Sequence, residues 1–261
     1  MPVADEVHGV SAEISRLEAQ GRKLLEDETY AVYAERGDRM PVLLREIGRI
    51  RELTFRAAAE GTGKGLDLDH FDGYYTQLVL WHKQSSRIAG GYRLAWTRDV
   101  LSADGIQGLY TSTLFRFAPT FFDVLGPAVE LGRTFIREEF QKEYAPLMLL
   151  WQAIGRCVAA RPEAPVLFGP VSISANYSDA SLELIVHYLR QRRSRDDLAR
   201  FVKPRQPFRS RLAYAADLRL FANCLNEIED LSVLWLKSTS AMFRFCFASI
   251  SGWEGALPVS V

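Results

Sequence analysis

Between positions 51 and 133 this chain repeatedly sets a charged side chain inside apolar sequence. Arg51 is followed by Phe55. Then come Asp67-Leu68-Asp69-His70-Phe71-Asp72, Gly91-Tyr92-Arg93-Leu94 and Glu130-Leu131-Gly132-Arg133. An unpaired charge in such surroundings is costly, so these groups are expected to meet in one polar pocket. A pocket of that kind holds carboxylates that can take up a proton and guanidinium groups that can grip a carboxylate with two hydrogen bonds.

Spacing limits how the charges can meet. On a regular strand Glu130 and Arg133 would face opposite sides. A β-bulge at Gly132 would add one residue and turn both toward the same face. Arg93, within a strand-like Ala89–Leu94 stretch, needs a carboxylate partner, and Asp69, Asp72 and Glu130 are the candidates. The acidic run 67–72 could cap a helix or bind a hard cation. It lacks the ligand order of a calcium loop, and pairing to Arg51 and Arg93 is the better reading. The four histidines show no HxxxH or HExxH spacing, so no metal site is expected. The glycine-rich stretch Gly61-Thr62-Gly63-Lys64-Gly65 does not have the order of a phosphate-binding Walker loop.

The elements that must position these residues follow from periodicity. Val10, Ile14, Leu17, Leu24 and Leu25 mark an amphipathic helix over 9–26. Thr29–Ala34 reads as a strand. Pro41 opens a helix that runs to about Ala59, with Leu44, Ile47, Ile50 and Leu53 on one face. Tyr74–His82 and Arg87–Trp96 form a hairpin. Leu109–Phe117 and Ala128–Ile136 read as strands, and Phe121–Leu125 as a short helix. Pro146–Ala160 is a long helix and Pro165–Ser174 a buried strand interrupted at Gly169-Pro170. Ser178 caps a helix to Arg193, with Leu182, Ile185, Val186 and Leu189 inward. This mixture predicts an α/β (α+β) fold with antiparallel strands at its centre.

At 261 residues the chain can bury a substantial core, and a hydrophobic fraction of 48% excludes a disordered one. The formal net charge is zero, so nothing global points to nucleic acid. Locally, residues 1–40 lean acidic, whereas 190–211 is rich in arginine and suits an acidic partner, a phosphate or anionic lipid. Cys157, Cys224 and Cys246 are few and far apart, which fits a reducing compartment. Neither a signal peptide nor a membrane-spanning run is expected.

Taken in order, the charged motifs resemble the acyl-carrier-dependent branch of the GNAT N-acyltransferases. That branch holds the acyl-homoserine-lactone synthases and the ornithine-lipid type, hemolysin-like N-acyltransferases. The synthases pair an Arg and an aromatic on the first helix with an E/D-x-D-x-F-D loop, a G-x-R-L strand and an E-x-x-R strand. Arg51, Phe55, Asp69, Asp72, Arg93, Glu130 and Arg133 stand at the matching positions. The ornithine-lipid group is similar also over Leu44–Phe55, Glu60–Lys64, Gly108–Phe115, Phe168–Ser174 and Asn176–Ser178. The resemblance covers roughly residues 29–210.

The resemblance implies a GNAT-like, centrally antiparallel sheet flanked by helices, with a splayed strand pair that admits the acyl donor. The donor would be a fatty or 3-hydroxyacyl chain on acyl carrier protein, less often on coenzyme A, with no permanently bound cofactor. The acceptor would be the amine of an amino acid, and the product an amino-acid-containing lipid precursor. Glu130 would be the base. Arg93 and Arg133 would orient carboxylates, bind an acceptor carboxylate, or both. Asp69 and Asp72 would hold the acceptor amine or lock the arginines, beside Arg51 and Phe55. The basic segment 190–211 would receive the carrier protein or lie near anionic membrane, giving a cytoplasmic protein, peripheral at most to the inner membrane face.

Fused relatives carry a lysophospholipid O-acyltransferase domain with an HxxxxD motif, which is absent from this sequence. Residues 1–28 resemble the connector that precedes the N-acyltransferase part, residues 29–210 that domain itself. Residues 211–261 depart from the pattern, which makes a truncated, non-catalytic binding domain one alternative. An acyl-homoserine-lactone synthase is the other, weakened because no tryptophan lies between Arg51 and Asp72.

Overall fold

The computed structural model describes residues 4–164, 166–173 and 177–210, with side chains from residue 9 onward. In chain order the elements are α1 (Ala4–Ala19), β1 (Lys23–Glu26), β2 (Tyr30–Arg36), α2 (Pro41–Ala57), the single turn α3 (Phe71–Tyr74), β3 (Thr76–His82), β4 (Arg87–Trp96) and α4 (Thr97–Asp104). They continue with β5 (Phe115–Phe117), α5 (Phe121–Leu125), β6 (Ala128–Ile136), α6 (Ala145–Ala159), β7 (Val166–Phe168), α7 (Asp179–Arg192), α8 (Asp196–Ala199) and β8 (Val202–Pro204). The described residues fall into two compact units, one of 4–110 with 127–164 and one of 111–126 with 166–173 and 177–210.

In the first unit five strands pair antiparallel in the order β1-β2-β3-β4-β6. One face of this sheet packs on α1 and α2. Val10, Ile14 and Leu17 of α1 meet Leu43, Ile47 and Ile50 of α2 above Tyr33, Val79 and Phe135. The other face is covered by α6, whose Trp151 meets Tyr92 of β4. Successive strand residues alternate faces, so Arg93 points toward α2. The mixed, centrally antiparallel sheet flanked by helices is therefore as expected. No described helix is long and apolar enough to cross a membrane.

Several expected elements need correction. The helix expected over 9–26 stops at Ala19, where Gly21 takes a left-handed turn (φ +67°), and 23–26 join the sheet as β1. Strand β1 thus precedes residue 28 and pairs antiparallel with β2. The strand expected at 109–117 is mostly a 3-10 turn over Tyr110–Thr113, leaving only Phe115–Phe117 extended. The amide of Tyr110 is claimed by Glu130 and by the Tyr75 hydroxyl, so it cannot serve a ladder. Helix α4 was not anticipated. The hairpin strand read from Tyr74 begins at Thr76, after the α3 turn.

The second unit is described as far as residue 210. Its β5 and β8 pair antiparallel, and Phe117, Phe121, Phe122 and Phe168 make an aromatic cluster. The strand expected at 165–174 is extended only at Val166–Phe168; residues 165 and 174 lie outside the described residues. Helix α7 is capped by Ser178, whose hydroxyl accepts from the Ser181 amide, and buries Ile185, Val186 and Leu189 as its pattern predicts, whereas the fourth expected residue, Leu182, is only half-buried. The expected C-terminal extension 211–261, with its alternating Phe243, Phe245 and Phe247, lies outside the described residues.

Candidate active site

The site belongs entirely to the first unit and begins on α2. Arg51 follows Ile47 and Ile50 on the buried face of this helix. Gly48, one turn earlier, lets the 66–69 segment lie flat against the helix. A Cβ there would come within 2.5 Å of Leu68, and the Gly48 carbonyl instead accepts the Asp67 amide at 2.9 Å. That contact carries the Asp67 carboxylate to Arg51. Gly37 does the same from the other side, where a Cβ would lie 2.0 Å from the Asp72 carbonyl.

Asp72 is the hub. Arg51 donates to both of its oxygens, at 2.7 and 3.0 Å, and reaches Asp67 with Nε at 3.0 Å. Arg93 comes across from β4 and donates Nη1 to Asp72 at 2.9 Å and to Asp69 at 2.7 Å. The Asp72 oxygens also take the Asp69 amide (2.8 Å) and the Gln77 side chain (3.3 Å). Burial pushes the Asp72 carboxyl up, but the hydrogen bonds of Arg51 and the charges of Arg51 and Arg93 outweigh it and hold it down to about 2. Burial opposes the charge of Arg93 as well, yet Asp72 and Asp69 keep its guanidinium more basic than usual. The guanidinium sits among the rings of Tyr75 (5.1 Å), Tyr110 (5.0 Å) and Phe71 (5.9 Å).

The Glu130-to-Arg133 segment adopts the bulge its spacing suggested. Gly91 pairs with Phe135 and Arg93 with Gly132, so Tyr92 stands opposite both Arg133 and Thr134. The left-handed residue, however, is Arg133 (φ +53°) and not Gly132. Glu130 and Arg133 meet at Tyr110. The Glu130 carboxylate accepts the Tyr110 amide at 3.1 Å, and the Arg133 guanidinium lies 5.1 Å from the Tyr110 ring centre. Phe55 supplies a second ring to Arg133, at 6.0 Å. The Tyr75 hydroxyl also donates to Glu130, and burial together with that carboxylate drives its phenol far above the usual range.

All of the expected residues, Arg51, Phe55, Asp69, Asp72, Arg93, Glu130 and Arg133, thus gather on the α2 side of the sheet. The structure adds three that the sequence reading did not select: Asp67, Tyr75 and Tyr110. Asp67 was visible in the same acidic run. The two tyrosines were hidden because each stood at the margin of an expected strand. Among the described residues, no group of three or more His, Cys, Asp or Glu is arranged to hold a metal ion.

Every residue of this network lies within 50–152, the stretch that matches the family model described as an acetyltransferase (GNAT) domain. Two curated relatives extend the likeness. The chain is 34% identical over 178 residues to a glycine N(alpha)-acyltransferase of Bacteroides thetaiotaomicron, covering 64% of this chain and 52% of that protein. It is 31% identical over 208 residues to a glycine N(alpha)-acyltransferase of Phocaeicola vulgatus, covering 74% of this chain and 62% of that protein. The chain therefore spans little more than half the length of these relatives. No solved structure matches it.

Proposed function

We propose that the chain is a GNAT-type N-acyltransferase that moves an acyl group from a thioester on acyl carrier protein, or on coenzyme A, to the amine of an amino acid. The observation that carries this reading is Glu130. It is a buried carboxylate that accepts from the Tyr75 hydroxyl and the Tyr110 amide, beside a strand bulge, in the part of the chain that matches the GNAT family. The relatives' names put glycine first among the acceptors. The product would be an acylated amino acid of the lipid-precursor type.

The chemistry balances simply. An ammonium loses one proton to Glu130, directly or through a water, and the free amine attacks the thioester carbonyl. The C–N bond forms and the C–S bond breaks. The second amine proton goes to the departing thiolate, which leaves as thiol. Backbone amides at the Arg133–Thr134 bulge are suited to polarise the carbonyl. Arg51, Asp67, Asp72 and Arg93 do not react in this scheme; they hold the floor of the site rigid. The exposed arginines of 190–210, among them Arg193, Arg195, Arg205 and Arg209, offer a surface for an acidic carrier protein.

The test is thiol release from 3-hydroxyacyl carrier protein and from acyl-coenzyme A, with mass spectrometry of the products, across glycine, glutamine, ornithine and lysine. Glu130→Gln keeps the hydrogen-bond acceptor and removes the base. Turnover should fall by about 10²–10⁴-fold with little change in KM. Unchanged turnover in the variant would remove Glu130 from the mechanism. Absence of any acylated amine from the folded wild type would sink the enzyme reading.

A further inference from the structure

The charged network is satisfied at one end and left incomplete at the other. The side chains of Arg51, Arg93, Asp67 and Asp72 are 1–3% exposed, whereas Asp69 and Arg133 are 23% and 22% exposed. Arg133 Nη2 lies 3.6 Å from Asp67 and 3.7 Å from Asp69, beyond hydrogen-bond reach. Its Nε is buried without an acceptor, and the Oδ2 of Asp69 is buried without a donor. Buried polar atoms of a folded protein are nearly always paired, so an unpartnered donor and an unpartnered acceptor on neighbouring side chains need an explanation. Arg93 also leaves Nε and Nη2 without hydrogen bonds, but three aromatic rings surround it. Arg133 further holds a left-handed backbone, a conformation that costs a branchless-at-Cα glycine nothing but an arginine something.

We infer that Asp69 and Arg133 form the seat for the head group of a free α-amino acid, Arg133 taking its carboxylate and Asp69 its ammonium. The inference rests on the N-acyltransferase reading and goes beyond it by specifying how the acceptor is recognised. The missing acceptor at Arg133 Nε and the missing donor at Asp69 Oδ2 are what a zwitterion supplies. The rings of Phe55 and Tyr110 hold the guanidinium in place, so little side-chain freedom is lost when the carboxylate binds. Asp69 is itself fixed through Oδ1, which accepts from Arg93 and from the Phe71 amide, while about a quarter of its side chain stays open to solvent. An amine without an adjacent carboxylate would engage only half of the seat.

The experiment compares acyl transfer from 3-hydroxyacyl carrier protein to glycine, glycinamide and glycine methyl ester. The amines of the two analogues are less basic and more fully deprotonated at neutral pH, so a site blind to the carboxylate would favour them. Wild type should instead prefer glycine. In Arg133→Gln, KM for glycine should rise about tenfold to a hundredfold, the scale of a lost charged hydrogen bond, while KM for glycinamide stays unchanged. Arg133→Lys should fall between, since it keeps the charge but loses the fork. A wild type that favours glycinamide, or a variant that damages both substrates equally, would overturn the assignment. Should wild type acylate no amine at all, the function fails, and calorimetric titration of glycine into donor-free protein decides the seat separately. Binding by wild type that is lost in Arg133→Gln would support it; no binding, or equal binding, would overturn it.

Discussion

The two ends of the charged network are built from the same residue types, yet they solve opposite problems. Around Asp72 each carboxylate oxygen has a guanidinium within 3.0 Å, and water is excluded. Around Arg133 the nearest carboxylates stand off at 3.6 and 3.7 Å, and about a fifth of the side chain is open to solvent. Removing charges from water is expensive, and only complete pairing repays it. The Asp72 end meets that condition and becomes scaffold. The Arg133 end does not meet it alone, which is the state expected of a binding group before its ligand arrives. Substitutions at the first end should therefore appear in stability, and substitutions at the second in substrate affinity.

The largest effect should come from Asp72→Asn. The variant turns a carboxylate that serves two buried arginines into an amide that offers them a donor. Loss of a buried charge partner costs about 3–5 kcal/mol. The urea midpoint should fall accordingly with an unchanged slope, and a change below about 1 kcal/mol would show that the pairing is incidental. The same residue gives a pH signature. Its carboxyl lies at about 2 in the folded protein against an ordinary 3.8. A lowered folded value means that the stabilisation is complete above the unfolded value and is lost as the pH falls from about 4 through 2. Wild type should lose stability across that window, and Asp72→Asn should lack that part of the loss.

Tyr75→Phe should be milder. It removes one donor from buried Glu130 while the Tyr110 amide remains. A cost of about 1–3 kcal/mol is expected in the same urea assay. Since the hydroxyl fixes the proposed base, kcat should fall while KM for glycine holds. A rise in KM alone would move Tyr75 from the positioning of Glu130 to the binding of the acceptor.

Sequence legibility followed the range of the interactions. Strand Arg87–Trp96, strand Ala128–Ile136 and helix Phe121–Leu125 coincide with their periodic patterns, because alternation and short apolar runs are local signals. The bulge was legible from the spacing of Glu130, Gly132 and Arg133. Its left-handed residue was not, since glycine is the residue that relieves such a conformation and it stands one position too early. Tyr75 and Tyr110 were out of reach altogether. Tyr75 meets Glu130 across 55 residues of chain, and Tyr110 is drawn out of an apparently β-prone segment by the same carboxylate. Tertiary demand for a donor overrode the local preference of Leu109–Phe117.

The smallest change in stability, and the sharpest test of the comparison, is Arg133→Gly. Two terms oppose each other. Glycine removes the cost of a left-handed backbone, about 1–3 kcal/mol for a strained residue. It also removes the contacts of the guanidinium with Phe55 and Tyr110, worth about 0.5–1 kcal/mol each at a partly exposed site. The difference should leave the urea midpoint within about 1 kcal/mol of wild type. KM for glycine should nevertheless rise as in Arg133→Gln, because the carboxylate has lost its partner. A variant destabilised as severely as Asp72→Asn would place Arg133 with the scaffold. It would mean that the long 3.6 and 3.7 Å pairs matter to the fold, and that both ends of the network are structural.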